Sequence, residues 1–558
     1  MTLRPELRAP LSGRHFDVAI IGGGINGVAI ARECARARRS TLLLEQHDFA
    51  AGATSRSTRL IHGGLRYLEH GEIGLVRESV RERSRLLQHK PHLVRPISFL
   101  LALGPQAQRS ALEVRFGLWL YRRFAPNGRR DPAIAGQVAA LERLLDSGER
   151  WRIFHYQDAQ CEFPERLAAE WLLEAADSGA EIRNHTQVLE IEISTGQARA
   201  LRLRDQLTGR ESRVEASWII NAGGPWADQV AQSAGLKASA MLGGVRGSHL
   251  VLPRFPGMPQ AAVYIEAIDG RPFFVIPWNH QVLVGTTEVP DRGDPAQVHA
   301  SPEEVQYLLD SLRARFPRAA ISPEHILYTY AGVRPLPFVA DDNLSAITRR
   351  HFLYDHRDQG VAQMISVIGG KLTTAASLAR ECARKIGIDV EEPRGIAVLP
   401  ESAGIDAALQ QWAELTAAET GISLAGARAI AAWHGPGRLG IAQLAKSDGR
   451  MRQLLCPHTH HIVAEAVNAF ACEHAQTLSD VLLRRVPVAL HGSWSDQCSA
   501  LAAQRIAVAL GWSDLRAAAE REAFDAERSA FLHKPSLPAT LAWGQPPPAV
   551  PASNARHS

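Results

Sequence analysis

Three glycines set the first chemistry in this chain. Gly22, Gly24 and Gly27 stand at the spacing G-x-G-x-x-G, and Glu45 follows them. Gly22 allows a tight turn, Gly24 lets backbone approach a pyrophosphate, and Gly27 lets a helix pack closely on a strand. A helix that starts here presents free N–H groups to phosphates. Glu45 is placed to accept hydrogen bonds from a ribose. A second glycine run, Gly369-Gly370-Lys371-Leu372-Thr373-Thr374, comes far later. Cys456-Pro457-His458-Thr459-His460-His461, with Cys472 and His474 further on, offers metal-ligand types. Its spacing matches no zinc pattern, and surface histidines at a helix start explain it better, so no metal is expected.

These residues need elements to hold them. Asp17 to Ile21 reads as a strand, Val28 to Arg39 as a helix and Thr41 to Leu44 as a second strand, so the first run is a βαβ unit. Residues 1 to 15 read as a loose leader. Gly71 to Lys90 reads as a helix with Ile73, Val76, Val80 and Leu87 on one side. In residues 109 to 130, Leu112, Phe116, Trp119 and Leu120 recur at helical spacing. Arg115, Arg122 and Arg129 run along a neighbouring stripe. Arginine stems beside aromatic rings suit a helix lying in a membrane interface, and a surface helix packed on its own domain is the plainer alternative.

Leu167 to Ser178 is helical in pattern, and Ala180 to Ile193 and Ala198 to Arg204 are strand-like. Trp218 to Gly224 is an apolar strand that ends in glycine, where backbone can approach a bound ring. Val245 to Pro253, Ala262 to Glu266, Phe273 to Pro277 and Val282 to Thr286 predict an antiparallel sheet forming a lid over a pocket. Pro302 to Arg315 is a helix. Ile365 to Ile368 is a strand that runs into the second glycine run, followed by a helix through Lys385. A discontinuous cofactor domain explains that return. After about residue 397 the pattern becomes alanine-rich amphipathic helix, and the Pro546 to Pro551 end reads as a disordered tail.

With 558 residues the chain can bury a large core and hold two or three domains. Its net charge of +4 is too small an excess to argue for nucleic acid. The six cysteines are scattered without a C-x-x-C pair, which fits a reducing compartment. No signal peptide is read at the N-terminus, and no apolar run reaches the length of a transmembrane helix, so membrane contact would be peripheral.

Several stretches together carry a resemblance. They are IIGGGINGVAIA (20–31), STRLIHGGLRYLEHGE (57–72), NAGGPWAD (221–228), RGSHLVLP (246–253), FFVIPW (273–278), VGTTEVPDRGDP (284–295), YAGVRPL (330–336), GGKLTT (369–374) and AQTLSDVLLRRV (475–486). The chain resembles the quinone-linked, aerobic type of FAD-dependent glycerol-3-phosphate dehydrogenases, within the D-amino-acid-oxidase-like flavoproteins. The fold implied is α/β: a Rossmann-like FAD-binding domain, an antiparallel-sheet substrate domain and an all-α C-terminal domain. The divisions expected are 14–397 for the discontinuous oxidoreductase region, 398–535 for the helical domain and 536–558 for the tail.

The resemblance implies FAD held by Gly22, Gly24, Ile25, Asn26, Glu45, Ser57, Thr58, His62, Gly64 and Leu65, with Gly223, Gly370 and Leu372 approaching it. Substrate would meet Arg66, Tyr67, Thr287, Arg334 and Lys371. The reaction implied is oxidation of sn-glycerol 3-phosphate to dihydroxyacetone phosphate, with electrons passed to a membrane quinone. A homodimer, and a cytoplasmic protein on the inner face of the cytoplasmic membrane touching it through residues 109–130, are further implications. Glu288 stands where the family pattern has aspartate, and the segment 157–171, QDAQCEFPERLAAEW, differs from the usual acidic stretch.

The chemistry makes sense of these residue types. A dianionic phosphate calls for fixed cations, and arginine offers a planar fork. Arg334 and Lys371 fill that role beside Arg66. Removing a hydroxyl proton while hydride leaves C2 calls for a base, and His249 is the first choice. His62 fits better as a flavin contact. Alternatives are an oxidase that uses oxygen, oxidation of another 2-hydroxy acid or amine, and a non-catalytic flavoprotein that binds a partner.

Overall fold

The His15–Ile21 strand is apolar on both faces, and it lies at the centre of a mostly parallel sheet. The computed structural model describes residues 10–68, 71–105, 107–124, 132–146, 148–236, 241–339, 348–391 and 404–535. The tail, most of the leader, residues 125–130 and the 397/398 division lie outside these.

The order across the first sheet is Phe352–Asp355, Met364–Ile368, Glu211–Asn221, His15–Ile21, Thr41–Leu44, Glu181–Arg183. All neighbours after the first pair are parallel. Ile20 sits opposite Leu43 on one side and Ile220 on the other, and all three are fully buried. Such continuous apolar strands are what a sheet covered on both faces requires. The Ile25–Arg36 helix crosses over it and packs on the helices Pro164–Asp177 and Ala375–Lys385. Ala180 to Ile193 is not one strand. It breaks at His185, whose φ is 49°, and Thr186–Ser194 leaves to pair with Gln197–Asp205.

The second sheet runs Val289–Pro290, Val245–Pro253, Gln281–Gly285, Pro272–Trp278, Ala262–Glu266, Val94–Leu103, Arg152–Cys161, Leu60–Ile61, with Tyr328–Arg334 also paired to Val245–Pro253. It is antiparallel except where Ala262–Glu266 runs parallel to Val94–Leu103. The lid expected from sequence is therefore a larger, mixed sheet. Val94–Leu103 and Arg152–Cys161 were not legible: the first is an apolar run with a proline in it, and the second lacks clean alternation.

From Ile405 onward the chain is helical, ending in Asp514–Phe531. Its core is continuous with that of the second sheet: Leu482, Leu490 and Phe531 share one apolar cluster with Ile276, Tyr328 and Tyr330. Cys456 and Cys498 are disulfide-bonded, 42 positions apart with Cα atoms 5.1 Å apart. That pairing corrects the reading of scattered, unpaired cysteines; a long separation hides it in sequence.

Candidate active site

Where the two sheets meet lies a cavity of about 960 Å³, toward the upper end of the usual range for ligand pockets. Its first wall is the glycine turn. Gly22 has φ 109°, and a Cβ there would strike the Ala222 carbonyl. A Cβ on Gly27 would strike the Gly22 carbonyl, so helix and strand close only over hydrogen atoms. The Ile25–Arg36 helix begins after Gly24 with no capping side chain of its own, though Thr54 Oγ1 accepts from Ile25 N at 3.0 Å. Gly22, Gly24, Ile25 and Asn26 all line the cavity.

Glu45 also lines it. Its carboxylate takes N–H bonds from Gly23 (2.7 Å) and His47 (2.9 Å). Burial pushes this carboxyl upward, and the two backbone donors oppose the shift. Ser57, Thr58, His62, Gly64, Leu65 and Gly223 form more of the wall. Gly370 and Leu372 close it from the second glycine junction, where Gly369 N donates to Pro335 O at 2.7 Å.

Five cavity residues hold buried polar atoms with no hydrogen-bond partner among the described residues: Asn26 Oδ1, Arg56 Nε, Arg59 Nε, His249 Nδ1 and Arg349 Nη1. Buried polar atoms are normally paired, so orphans clustered in one cavity mark a ligand's partners. The glycine turn and helix start suit a diphosphate, and the long cavity suits a flavin dinucleotide.

The far end is cationic. Arg334 ends the Tyr328–Arg334 strand, and its Nη2 donates to Thr286 Oγ1 at 3.0 Å. Lys371 Nζ donates to Ser79 Oγ at 2.8 Å and sits 4.4 Å from the Tyr67 ring centroid. Burial, opposed by Glu78 and Glu72, pulls the Lys371 ammonium down to about 7. Arg349 pairs with Glu288 at 2.6 Å. Arg349 was missed in the sequence, because nothing around it has a periodic or glycine signature. Glu288, the departure from the family pattern, thus holds a cation of the cavity.

His249 sits in Val245–Pro253, opposite Gly285 and Tyr330. Its Nε2 lies 3.0 Å from Thr58 Oγ1, and its ring stacks on Tyr330 at 4.8 Å. Burial, with Arg334 and Arg59 nearby, pushes His249 down to about 3, so the ring is neutral. His62 is pushed down to about 3 by burial, Lys371 and Arg83. Thr287 does not line the cavity: its hydroxyl donates to Glu304 and accepts from Ser248 N. Its neighbour Thr286 takes the wall position instead. Arg66 lies in the Leu65–Leu68 turn, and its side chain is outside the described part.

The segment 157–171 is scaffold. Asp158 accepts from Arg83 and from the Tyr121 hydroxyl (2.8 Å), and the Tyr121 oxygen accepts from Gly63 N at 2.9 Å. Glu165 pairs with Arg59 at 3.0 Å, both fully buried. In the Cys456 stretch, buried His461 meets Glu465 at 2.7 Å, and His434, from an earlier helix, meets the same acid at 2.9 Å. Asp48, His185 and Asp480 have spacing for a cation, but Arg484 and Arg485 already occupy Asp48.

A parallel sheet with a glycine turn, a second glycine junction closing the same cavity and a cationic end under a mixed sheet define a flavin-dependent oxidoreductase. The comparisons agree. Residues 17–385 match the family model "FAD dependent oxidoreductase", and residues 400–517 match "C-terminal domain of alpha-glycerophosphate oxidase". A glycerol-3-phosphate dehydrogenase of Synechocystis sp. is 36% identical over 509 residues, covering 85% of this chain and 89% of that one. An aerobic glycerol-3-phosphate dehydrogenase of Escherichia coli K12 is 36% identical over 375 residues, 66% of this chain and 73% of that one. The glycerol-3-phosphate dehydrogenase of Bacillus halodurans, solved with FAD, superposes with a TM-score of 0.74 at 22% identity, covering 93% of this chain and 96% of that one. The chain belongs to the FAD-dependent glycerol-3-phosphate dehydrogenase family.

Proposed function

We propose that this enzyme oxidises sn-glycerol 3-phosphate to dihydroxyacetone phosphate and passes the electrons to a membrane quinone. The observation that carries the reading is the cationic end of the cavity, where Arg334, Lys371 and Arg349 converge beside neutral His249. Gathered cations in a buried cavity repel one another, and a dianionic phosphate relieves that repulsion. Bringing such an anion close also raises Lys371 from about 7, so the ammonium stays charged around the phosphate.

The cofactor would be held by Gly22, Gly24, Ile25, Asn26 and Glu45 at one end, and by Ser57, Thr58, His62, Gly64, Leu65, Gly223, Gly370 and Leu372 along its length. FAD, when bound, supplies a two-electron acceptor for the hydride leaving C2. Arg334, Arg349 and Lys371 bind and orient the phosphate, and Tyr67 completes that wall. His249 Nδ1, the ring nitrogen left without a partner among the described residues, takes the hydroxyl proton, with Thr58 Oγ1 fixing the ring through Nε2. Being neutral, it has the lone pair that an imidazolium lacks.

The region 14–397 would act as the oxidoreductase unit and 398–535 as a helical domain. Membrane contact is supported by the Ala111–Phe124 helix. It buries Val114, Leu118 and Tyr121 and exposes Leu112 (76%), Phe116 (65%) and Trp119 (61%). Among the described residues no helix is long and apolar enough to cross a membrane.

The test is anaerobic. Purified protein is mixed with sn-glycerol 3-phosphate, and flavin absorbance is followed near about 450 nm. Rapid bleaching is expected, absent with glycerol or glycerol 2-phosphate. Bound flavin that does not bleach would overturn the substrate. Adding quinone or oxygen to the bleached protein then separates a dehydrogenase from an oxidase; rapid reoxidation by oxygen alone would sink the quinone reading.

A further inference from the structure

The cavity is not walled by the two sheets alone. Arg484, Glu527, Ala530 and Phe531, all from the C-terminal helices, line it as well. Opposite them stands Arg56, two residues beyond the Thr54 that caps Ile25 N. The Arg56 guanidinium lies 5.2 Å from the Phe531 ring centroid, while its buried Nε has no hydrogen-bond partner among the described residues. Its Cβ is wedged against Gly332, so the stem cannot swing away cheaply.

The C-terminal partners are themselves fixed. Arg484 Nη1 pairs with Glu527 Oε1 at 2.7 Å, and Arg484 Nε reaches Asp48. Arg485 gives Asp48 two further bonds of 2.8 Å. Asp48 follows Glu45 in the turn that closes the glycine end. One face of the C-terminal region therefore grips the cofactor turn and holds a cation against the cavity.

We propose that Arg56 binds the diphosphate of FAD, and that the C-terminal helix Asp514–Phe531 positions it there through Phe531 and Glu527. Cofactor affinity and docking of the C-terminal helices are then linked, and linkage runs both ways. A cation on an aromatic face with an unmet donor has room for a second anion, since its neighbour Glu527 is already paired with Arg484. The cofactor is the anion at this end. The substrate cations form a separate group: Arg334 donates to Thr286, Lys371 donates to Ser79 and Arg349 pairs with Glu288, three partners outside the C-terminal helices. The inference needs FAD binding but not the substrate reading, so the bleaching test and the one below fail separately.

The experiment is a double-mutant cycle on FAD affinity. Apoprotein is titrated with FAD by flavin fluorescence for wild type, Arg56→Gln, Phe531→Leu and the pair. Phe531→Leu keeps the apolar filling and removes only the ring. Expected are a Kd raised at least tenfold by Arg56→Gln and at least threefold by Phe531→Leu, with less than a twofold further rise when Phe531→Leu is added to Arg56→Gln. The dependence of Kd on salt should flatten in Arg56→Gln. Lys446→Gln, which removes an exposed pair with Glu419, should leave Kd unchanged. Hydrogen exchange should show amides of Asp514–Phe531 protected on adding FAD. A Kd within twofold of wild type in folded Arg56→Gln would overturn the proposal. So would fully additive effects in the pair, or a raised KM for glycerol 3-phosphate at saturating FAD with unchanged FAD Kd.

Discussion

At the scale of single residues, the cavity separates two jobs that a list of its polar residues would merge. Arg334 is fastened to Thr286 and to backbone carbonyls, so its fork is aimed before any ligand arrives. Arg334→Ala should raise KM for glycerol 3-phosphate by about 100-fold, a loss of roughly 3 kcal/mol for a charge-assisted pair, while the purified variant keeps its full flavin content. Loss of flavin would show the arginine to be misassigned. His249 makes a different kind of prediction. Its folded pKa of about 3 lies below the ordinary 6.5. Between those values the unfolded chain binds the proton and the folded chain does not, so stability falls as pH drops through that window. His249→Asn should therefore lose less melting temperature than wild type between about pH 6.5 and pH 4, while its turnover collapses at neutral pH. His62 contributes in the same direction and remains in the variant, so the acid slope should shrink and not vanish.

At the scale of elements, the Ala111–Phe124 helix has two faces with separate consequences. Its exposed aromatic face should bind vesicles of anionic lipid: Phe116→Ser with Trp119→Ser should shift the protein from floated vesicles to the soluble fraction. No shift would leave that face as plain surface. Its buried face carries Tyr121, which links Asp158 to Gly63 in the turn beside His62. Tyr121→Phe strips a partner from buried Asp158 and should cost about 1–3 kcal/mol in denaturant unfolding. These two faces also show what the sequence disclosed. The exposed Leu112, Phe116 and Trp119 stripe was visible as periodicity, but the buried Val114, Leu118 and Tyr121 stripe beside it is the one that packs. In the helix Ile73–His89, Val76 and Val80 are buried, but Ile73, expected on the same side, is 41% exposed, while Leu75 and Leu86 are buried. Periodicity finds a helix but chooses poorly between adjacent stripes. The glycine turns, Glu45 and the strands around them were legible because backbone geometry restricts their residue types. Arg349, Arg56 and the long strands Val94–Leu103 and Arg152–Cys161 were not, because tertiary neighbours alone give them their roles.

At the scale of the whole molecule, the helical region is joined to the rest by buried ions as well as by apolar packing. Arg166, in the helix after the 157–171 segment begins, pairs with Glu473 at 2.6 Å and donates to the Arg485 carbonyl at 2.8 Å. Arg166→Met would leave Glu473 buried without its main partner and should destabilise the protein by about 3–5 kcal/mol, seen as one cooperative transition at lower temperature. Two separate transitions would mean that the regions unfold independently. The same architecture has a consequence for biosynthesis. The glycine turn lies near the start of the chain, yet Phe531 lines the cavity it begins, and His533 exchanges backbone hydrogen bonds with Thr329 next to it. At 5–20 residues per second, the ribosome needs on the order of 25–100 s to travel between those two ends. For all of that time the nascent chain carries the cofactor turn without its last wall. Tight retention of the prosthetic group is therefore expected only once Phe531 has been made, and a product truncated before it should hold flavin poorly.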